Sequence, residues 1–355
     1  LQVINVSDPA HPQRVGGCET GRWASGVAVR GNYAYVADAE AGLVVIDVSD
    51  PAHPQRVGGY ETDGWATGVA VSEHYAYVAA GGAGLQVINV SAPAHPQWVG
   101  SCETNGSAWD VVVSGDYAYV ADRSAGLQVI DVSDPAHPQR VGGYETGGQA
   151  NGVAVSGNYA YVANSGAGLQ VINVSAPAQP QRVGGYNTSG HAWSVAVSEH
   201  YAYVADGSAG LQVIDISNPA QPQRVGCETY DYAEGVAVSG NYAYVVAEFV
   251  GLQVTDVSDP AHPQRVGGCE TGGYAEGVAV SGNYAYVADG YWGLAILDLT
   301  PRPQVTSIAW TNGIAIVSYT NTLAGTNYTL EYCTDLRLGN WRPVVTQPAS
   351  GPSAT

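Results

Sequence analysis

The chain of 355 residues carries a formal net charge of −19, and all twelve of its basic residues are Arg. This length suits one large domain plus a small one. The negative charge excludes nucleic acid as a favourable partner, because its phosphates would be repelled. No segment approaches the roughly 20 consecutive apolar residues that a membrane helix needs, so we expect no membrane insertion.

The chain is built from near-identical copies of one segment. The step between copies is 42 residues, except for one step of 41 near Cys227. The copies begin at Leu1, Leu43, Leu85, Leu127, Leu169, Leu211 and Leu252, with a truncated eighth at Leu294. A fixed period of this size indicates a repeat architecture. Because the chain begins inside a repeat and lacks Met, we expect a mature or partial chain, in which a missing signal peptide is uninformative.

Each repeat contains four short strands. In the copy spanning 66–104 they are predicted at 68–71, 75–78, 85–90 and from 97 onward, each a Val-, Ile- or Tyr-rich run bounded by Gly, Asn, Ser or Pro. No segment has helical spacing over a useful length. Four antiparallel strands per unit of about 40 residues are typical of a propeller blade, so the predicted fold class is all-β, a β-propeller.

The third strand of each repeat supports this prediction. Leu43 and Val45 point to one face of the strand, and Val44 and Ile46 point to the other. A strand that is apolar on both faces belongs in a sheet covered on both sides, as a blade is by its neighbours.

The strings LVVIDVSDP at 43–51 and LQVIDVSDP at 127–135 follow the string YAYVA and precede PQRVG. These strings resemble the LVIVD-repeat family over residues 1 to about 300. The resemblance implies a bacterial or archaeal β-propeller, frequently exported, so we expect an extracellular or cell-surface protein. It implies no catalytic residues.

The number of blades follows from the two ends of the repeat region. Six blades are complete in sequence, and a seventh is predicted from the third and fourth strands at the N-terminus with the first and second strands at 277–288. Such closure removes open sheet edges. However, 294–299 is an extra third strand that competes with residues 1–6, so an eight-bladed ring is the alternative if sequence preceded Leu1.

Three regions are predicted: the propeller at 1–300, a partial fibronectin-like β segment at 301–346, and a flexible linker at 347–355. Strands are predicted at 305–310, 314–319 and 328–332, where the repeat period has ended. The strings NYTLEY and NWRP resemble the start of the small fibronectin-like sandwiches that follow repeat domains, but about 50 residues is short for one.

Differences between copies concentrate at one end of the predicted propeller. The loop that leads into each first strand has a fixed Ala with variable flanking residues. These flanking residues are Trp23 and Ser25, Trp65 and Thr67, Ser107 and Trp109, Gln149 and Asn151, His191 and Trp193, Tyr232 and Glu234, and Tyr274 and Glu276. The loop between the second and third strands, which includes Arg123, Tyr291 and Trp292, also varies, whereas the opposite face is nearly uniform. Variation on one end of a rigid scaffold indicates a binding site.

The predicted ligand-binding residues are mainly aromatic, with acids among them. They are Trp23, Trp65, Trp109, His191, Trp193, Tyr232, Glu234, Tyr274, Glu276, Tyr291 and Trp292. Exposed Trp and Tyr offer flat apolar faces that suit sugar rings or protein hot spots. An alternative interpretation is that some of these aromatics plug the central channel.

We therefore expect a monomeric, non-catalytic recognition or adhesion scaffold that binds a glycan or a protein. One alternative is a structural spacer without a ligand. The other is a hydrolase or lyase using Glu234, Glu276 and His191 around the channel. No catalytic motif or metal-ligand spacing is present in the sequence, so we expect no cofactor and no metal.

Overall fold

The computed structural model describes residues 4–5, 9–229 and 232–298, together with five strands beyond residue 300, and it describes side chains for 9–229 and 232–293. The chain divides into two compact units, Leu1–Leu299 and Thr300–Thr355.

Six four-stranded antiparallel sheets each arise from one continuous stretch of chain. Their first strands are β3 (Gly26–Arg30), β7 (Gly68–Ser72), β11 (Asp110–Ser114), β15 (Gly152–Ser156), β19 (Ser194–Ser198) and β23 (Ala233–Ser239). Their second strands are β4 (Tyr33–Ala37), β8 (Tyr75–Ala79), β12 (Tyr117–Ala121), β16 (Tyr159–Ala163), β20 (Tyr201–Ala205) and β24 (Tyr242–Ala247). Their third strands are β5 (Leu43–Asp47), β9 (Leu85–Asn89), β13 (Leu127–Asp131), β17 (Leu169–Asn173), β21 (Leu211–Asp215) and β25 (Gly251–Asp256). Their fourth strands are β6 (Gln55–Tyr60), β10 (Gln97–Cys102), β14 (Gln139–Tyr144), β18 (Gln181–Tyr186), β22 (Gln223–Glu228) and β26 (Gln264–Cys269).

These sheets confirm the predicted four-stranded blade and give six such blades, where the sequence predicts seven or eight. The remaining strands form a five-stranded sheet from both ends of the repeat region, in the order β1-β2-β29-β28-β27. Its strands are β1 (Ile4–Asn5), β2 (Gln13–Cys18), β27 (Gly277–Ser281), β28 (Tyr284–Ala288) and β29 (Leu294–Asp298).

The third position of this five-stranded sheet is filled by β29, which pairs with β28 on one side and with β2 on the other. Ile4 and Asn5 of β1 also pair with Ala285 and Tyr284 of β28, as the sequence predicts for residues 1–6, while β29 is the competing third strand and pairs with β28 over five positions. Pairing of β29 closes only a small loop, because β29 follows β28 after a short turn, whereas pairing of β1 joins the two ends of the repeat region.

The sheets pack in chain order, and the five-stranded sheet lies between the sixth sheet and the first. Each first strand contacts the first strands of its two neighbours, and β27 contacts both β23 and β3. At the point where the ends meet, the backbone N–H of Ala24 donates to the carbonyl of Gly290 over 3.1 Å, and the reverse bond is also 3.1 Å.

The core lies between neighbouring sheets, as the two-sided apolar third strand predicts. Leu43 and Val45 of β5 pack with Ile88 of the second sheet, whereas Val44 and Ile46 pack toward the five-stranded sheet. All five side chains are fully buried. Burying a side chain of this size stabilises the fold by about 1.5–3 kcal/mol.

The described part of the C-terminal unit consists of β30 (Gln304–Thr311), β31 (Ile314–Thr320), β32 (Asn327–Tyr332), β33 (Arg342–Pro348) and β34 (Ser353–Ala354). They pair as β30-β31-β34 and β32-β33. The strands predicted at 305–310, 314–319 and 328–332 are confirmed. The fibronectin-like arrangement stays a prediction, and residues 349–352 and 355 of the predicted linker lie outside the described residues.

Candidate functional site

Two variable loops meet at one end of the propeller, as the sequence predicts. The loop after the second strand of one sheet pairs with the fixed Ala before the first strand of the next sheet. The bridged pairs are Ala39 with Ala66, Gly81 with Ala108, Arg123 with Ala150, Ser165 with Ala192, Gly207 with Ala233, and Gly290 with Ala24. Every one of these fixed alanines is fully buried. A larger side chain at the bridge would have to displace the atoms packed around the Ala, which accounts for the same residue in every copy.

The first strands surround a cavity of about 550 Å³. The residue that follows each fixed Ala lines it, and we call this set the channel ring. The channel ring consists of Ser25, Thr67, Trp109, Asn151, Trp193, Glu234 and Glu276. The cavity volume falls within the range of about 300–1,000 Å³ that is typical of small-ligand sites.

One side of the channel ring is acidic. Glu276 accepts a hydrogen bond of 2.7 Å from Trp23 Nε1 and another from the Ser25 hydroxyl, while burial raises its pKa. Burial also raises the pKa of Glu234 to about 8, and the nearby carboxylates of Glu276 and Glu248 add to the shift. Glu234 is therefore mainly protonated at neutral pH, which lets two carboxyl groups share the cavity without full repulsion.

A continuous aromatic cluster lies beside these acids, and we call it the aromatic ridge: Trp23, Phe249, Tyr274 and Tyr291. The ring of Trp23 lies 5.5 Å from that of Tyr274 and 4.6 Å from that of Tyr291, and Phe249 meets Tyr274 at 5.0 Å. Phe249 and Tyr291 are each 75% exposed, whereas Trp23 and Tyr274 also line the cavity. The aromatic ridge thus runs from the cavity to the outer surface.

The other side of the channel ring carries a guanidinium between two indoles. Arg123 Cζ lies 3.5 Å from the ring centroid of Trp109 and 5.8 Å from that of Trp193. Its Nη1 donates to Gln149 Oε1 over 2.9 Å, and burial lowers its pKa. Stacking on Trp stabilises such a cation and orients its plane.

Two further polar groups belong to this side. Asp110 Oδ1 accepts from the N–H of Val111 over 2.8 Å, and Oδ2 accepts from that of Val153 over 3.0 Å; burial raises its pKa to about 6. Asn151 donates from Nδ2 to the carbonyl of Ala192 over 2.9 Å, but its buried Oδ1 has no hydrogen-bond partner among the described residues.

Six of the eleven residues predicted from the sequence line the cavity: Trp23, Trp109, Trp193, Glu234, Tyr274 and Glu276. The other five lie outside it. Tyr291 and Trp292 are exposed at the surface, and Trp65 is 63% exposed. His191 is exposed and contacts Ser165 Oγ at 3.3 Å, and Tyr232 accepts a bond of 3.2 Å from Trp193 Nε1.

The predicted set omits Ser25, Thr67, Asp110, Arg123 and Asn151, all of which line the cavity. Differences between copies of the repeat could have identified two of them from the sequence. Asp110 replaces the Gly that five other copies carry at the start of the first strand, and Arg123 stands where five other copies carry Ala, Gly or Ser.

Among the residues that the structure describes, no group of three or more His, Cys, Asp or Glu side chains is arranged to hold a metal ion. The same residues include no helix that is long and apolar enough to cross a membrane.

The closed succession of radially packed sheets, with a cavity where the first strands converge, defines this protein as a β-propeller. The chain belongs to the LVIVD repeat family, whose model matches residues 21–62, 63–104, 105–146, 147–188, 189–229, 231–271 and 272–300. Each of the first six matches contains one four-stranded blade from its first to its fourth strand, so the repeat of the family is one blade.

Solved structures show the same fold at low sequence identity. The β-propeller domain of Cps50 (Swd1) from Myceliophteria thermophila is 11% identical with a TM-score of 0.65, over 79% of this chain and 97% of that one. The computationally designed Ika8 protein is 10% identical with a TM-score of 0.58, over 80% and 98%. BamB from Moraxella catarrhalis is 13% identical with a TM-score of 0.55, over 81% and 85%. Among curated protein sequences, none matches this chain.

Proposed function

We propose that this chain is a recognition scaffold that binds a carbohydrate or a protein at the cavity end of the propeller. The observation that carries the proposal is the aromatic ridge, in which Phe249 and Tyr291 are 75% exposed and continuous with an open cavity of about 550 Å³. Exposed, mutually packed aromatics next to a cavity are characteristic of binding surfaces.

The proposal includes a rigid ring of seven blades, in which the five-stranded sheet serves as the seventh. The contacts of β27 with β23 and β3 support this arrangement. A closed ring protects its sheet edges and holds the loops at the cavity in constant relative positions. We also propose that the protein acts as a monomer outside the cell or at its surface, as the family resemblance implies; fractionation of the producing cells tests the location.

In this proposal the chain binds its ligand without transforming it. Glu276 is held by Trp23 and Ser25, so its hydrogen bonds are engaged in joining neighbouring blades. A second candidate function, a carboxylate-based hydrolase or lyase, is favoured by the raised pKa of Glu234 beside Glu276. Release of reducing sugar from glycans by the wild type, and its loss in Glu234→Gln, would support that candidate instead.

The test is a binding screen against glycans and cell-surface extracts. The wild type is compared with the double variant Trp23→Gln, Tyr274→Gln. Gln is chosen because the fourth copy carries Gln149 at the same repeat position. A matched control is Trp98→Arg, because Trp98 is exposed away from the cavity and most other copies carry Arg there.

We expect the wild type and the control to retain a ligand that the folded double variant loses. Equal retention by all three proteins would remove the aromatic ridge from the proposed site. If the wild type retains nothing, the chain is better described as a structural spacer.

A further inference from the structure

Four residues on consecutive sheets form a compact group opposite the acidic side of the channel ring. Trp109, Asn151 and Trp193 are successive members of the channel ring, and Arg123 extends over Trp109 toward Trp193. We call this group the guanidinium subsite. The backbone bridge between Arg123 and Ala150 fixes it, because the N–H of each donates to the carbonyl of the other over 3.1 and 3.0 Å.

Arg123 is half-buried without an anionic partner. No carboxylate forms an ion pair with it among the described residues, and burial alone accounts for its lowered pKa. Its described side-chain hydrogen bond is to the neutral amide of Gln149. A partly desolvated guanidinium is most favourably matched by a carboxylate or phosphate, which it can bind with two parallel hydrogen bonds.

Asn151 belongs to the wall of the guanidinium subsite. The residue is 2% exposed, and its Nδ2 donates to the carbonyl of Ala192 over 2.9 Å. Its Oδ1 is buried beneath the cavity surface, so Asn151 shapes the subsite and offers no acceptor to a ligand. The polar requirement of this subsite is therefore the anionic group that Arg123 pairs with.

The remaining surfaces narrow the ligand class further. Trp109 and Trp193 line the cavity, where Arg123 covers one face of Trp109, and indole rings of this kind suit the apolar face of a sugar ring. On the opposite side, the carboxylate of Glu276 would disfavour a second anion, and both glutamates would accept hydrogen bonds from hydroxyl groups. A ligand with one carboxylate at one end and neutral hydroxyls at the other satisfies both sides of the cavity.

We propose that the cavity binds an oligosaccharide that contains a single hexuronic acid residue flanked by neutral sugars. Its carboxylate pairs with Arg123, and the neutral sugars lie toward Glu234, Glu276 and the aromatic ridge. This inference rests on the proposed recognition function and names the ligand class of that same site.

The test uses three probes in calorimetric titrations of the full chain. They are a xylo-oligosaccharide bearing one glucuronic acid, the same oligosaccharide after reduction of its carboxyl group, and tri-galacturonate. We expect the mono-acidic probe to bind about tenfold more tightly than the carboxyl-reduced probe, since one charge-assisted pair is lost. Tri-galacturonate should bind more weakly than the mono-acidic probe, because its further carboxylates meet the carboxylate of Glu276.

Other copies of the repeat supply substitutions that the fold already accommodates. Arg123→Ser introduces the residue of the fourth copy, where Ser165 has a φ of 45° against 44° for Arg123. The control is Arg30→Ser, at the far end of β3, where the other six copies carry Ser. We expect Arg123→Ser to bind the acidic and reduced probes equally, and Arg30→Ser to keep the wild-type ratio; thermal unfolding verifies that both variants are folded.

The inference is overturned if the wild type binds the acidic and reduced probes equally, if Arg123→Ser keeps the ratio, or if no probe binds. These outcomes are separate from failure of the proposed function. When the extract screen still finds a ligand that the aromatic-ridge variant loses, recognition stands and only the acidic-sugar assignment falls. When the screen finds none, both fall.

Discussion

Trp23 and Glu276 are 253 positions apart in the chain, yet Trp23 Nε1 donates to Glu276 Oε1 over 2.7 Å. The bond joins the first four-stranded sheet to the five-stranded sheet, where the two ends of the repeat region meet. It also connects the aromatic ridge to the acidic side of the channel ring. One contact therefore contributes both to closure of the propeller and to the shape of the candidate site.

A double-mutant cycle measures this contact. Trp23→Gln and Glu276→Ser introduce residues that other copies carry, Gln149 and Ser25. Because a partly buried hydrogen bond to a charged group is worth about 1.5–3 kcal/mol, we expect a coupling free energy of about 1–2 kcal/mol in urea unfolding. Additive effects of the two substitutions would show that the bond contributes nothing to closure.

The stability of the protein should fall with rising pH because of Glu234. Its pKa is about 8 in the folded protein against an ordinary value of 4.5. Between these values the folded state holds a proton that the unfolded chain has released, so the free energy of unfolding decreases as pH rises. We expect the free energy of unfolding of the wild type to fall by about 2 kcal/mol between pH 5 and pH 9 because of Glu234. This value is smaller than the full pKa difference implies, because solvent screens the exposed part of the side chain.

Urea unfolding at pH 5, 7 and 9 checks this expectation. Glu234→Ser introduces the residue that the first copy carries, Ser25, and should reduce the pH dependence of the free energy of unfolding. Glu61→Ser removes an exposed carboxylate and serves as the control. The same slope in the wild type and in Glu234→Ser would mean that Glu234 ionises normally.

Replacement of a fixed alanine by a larger residue should destabilise the protein. Ala150 is fully buried at its bridge to Arg123. The two added methyl groups of Ala150→Val would have to displace neighbouring atoms, and overpacking of this kind typically costs about 1–3 kcal/mol. The neighbouring exposed residue provides the control, Gln149→Val, which should change the unfolding free energy by less than about 0.5 kcal/mol. Equal effects of the two substitutions would contradict the packing seen at the bridge.

A buried Thr–Asp pair recurs between neighbouring sheets and should stabilise them. Thr104 donates from Oγ1 to Asp122 Oδ1 over 2.7 Å, and the N–H of Gly106 donates to Oδ2 over 2.9 Å. Asp122→Ala leaves both donors without this partner, which we expect to cost about 1–3 kcal/mol. Thermal and urea unfolding measure the loss.

The second sheet offers the reverse experiment for this pair. Ala80 stands where Asp122 stands in the third sheet, and Thr62 donates instead to the carbonyl of Gly64 over 2.9 Å. Ala80→Asp supplies the missing acceptor and should destabilise the protein less than a buried carboxylate without hydrogen-bond donors would. If it destabilises the protein as strongly as Asp122→Ala, the pair does not stabilise the sheets.

Much of the fold was predictable because its information is local. The 42-residue period, the Gly-bounded apolar runs and the two-sided third strands predict four-stranded blades. Their bounds, such as Gly68–Ser72 for β7, follow the predicted segments closely. The identity of the variable loops was predictable for the same reason, since near-identical copies provide their own alignment.

The candidate site was predictable only in part. Aromatic composition identified Trp23, Trp109 and Trp193, but it also included Trp65, which is exposed and does not line the cavity. Arg123 belongs to a loop that the sequence identifies as variable, but only its stacking on Trp109 shows that it reaches the cavity.

By itself the sequence determined the repeat, the strands, the apolar faces and the end of the propeller where the copies differ, because each depends on residues close together in the chain. The tertiary structure decided how the ends combine, with β29 between β28 and β2 and with β1 paired to the same two strands. It also decided which members of the channel ring face one another, placing Trp23 on Glu276 and Arg123 between two indoles. Those relationships depend on the rotation between neighbouring sheets about the propeller axis. The sequence of a single repeat does not specify this rotation.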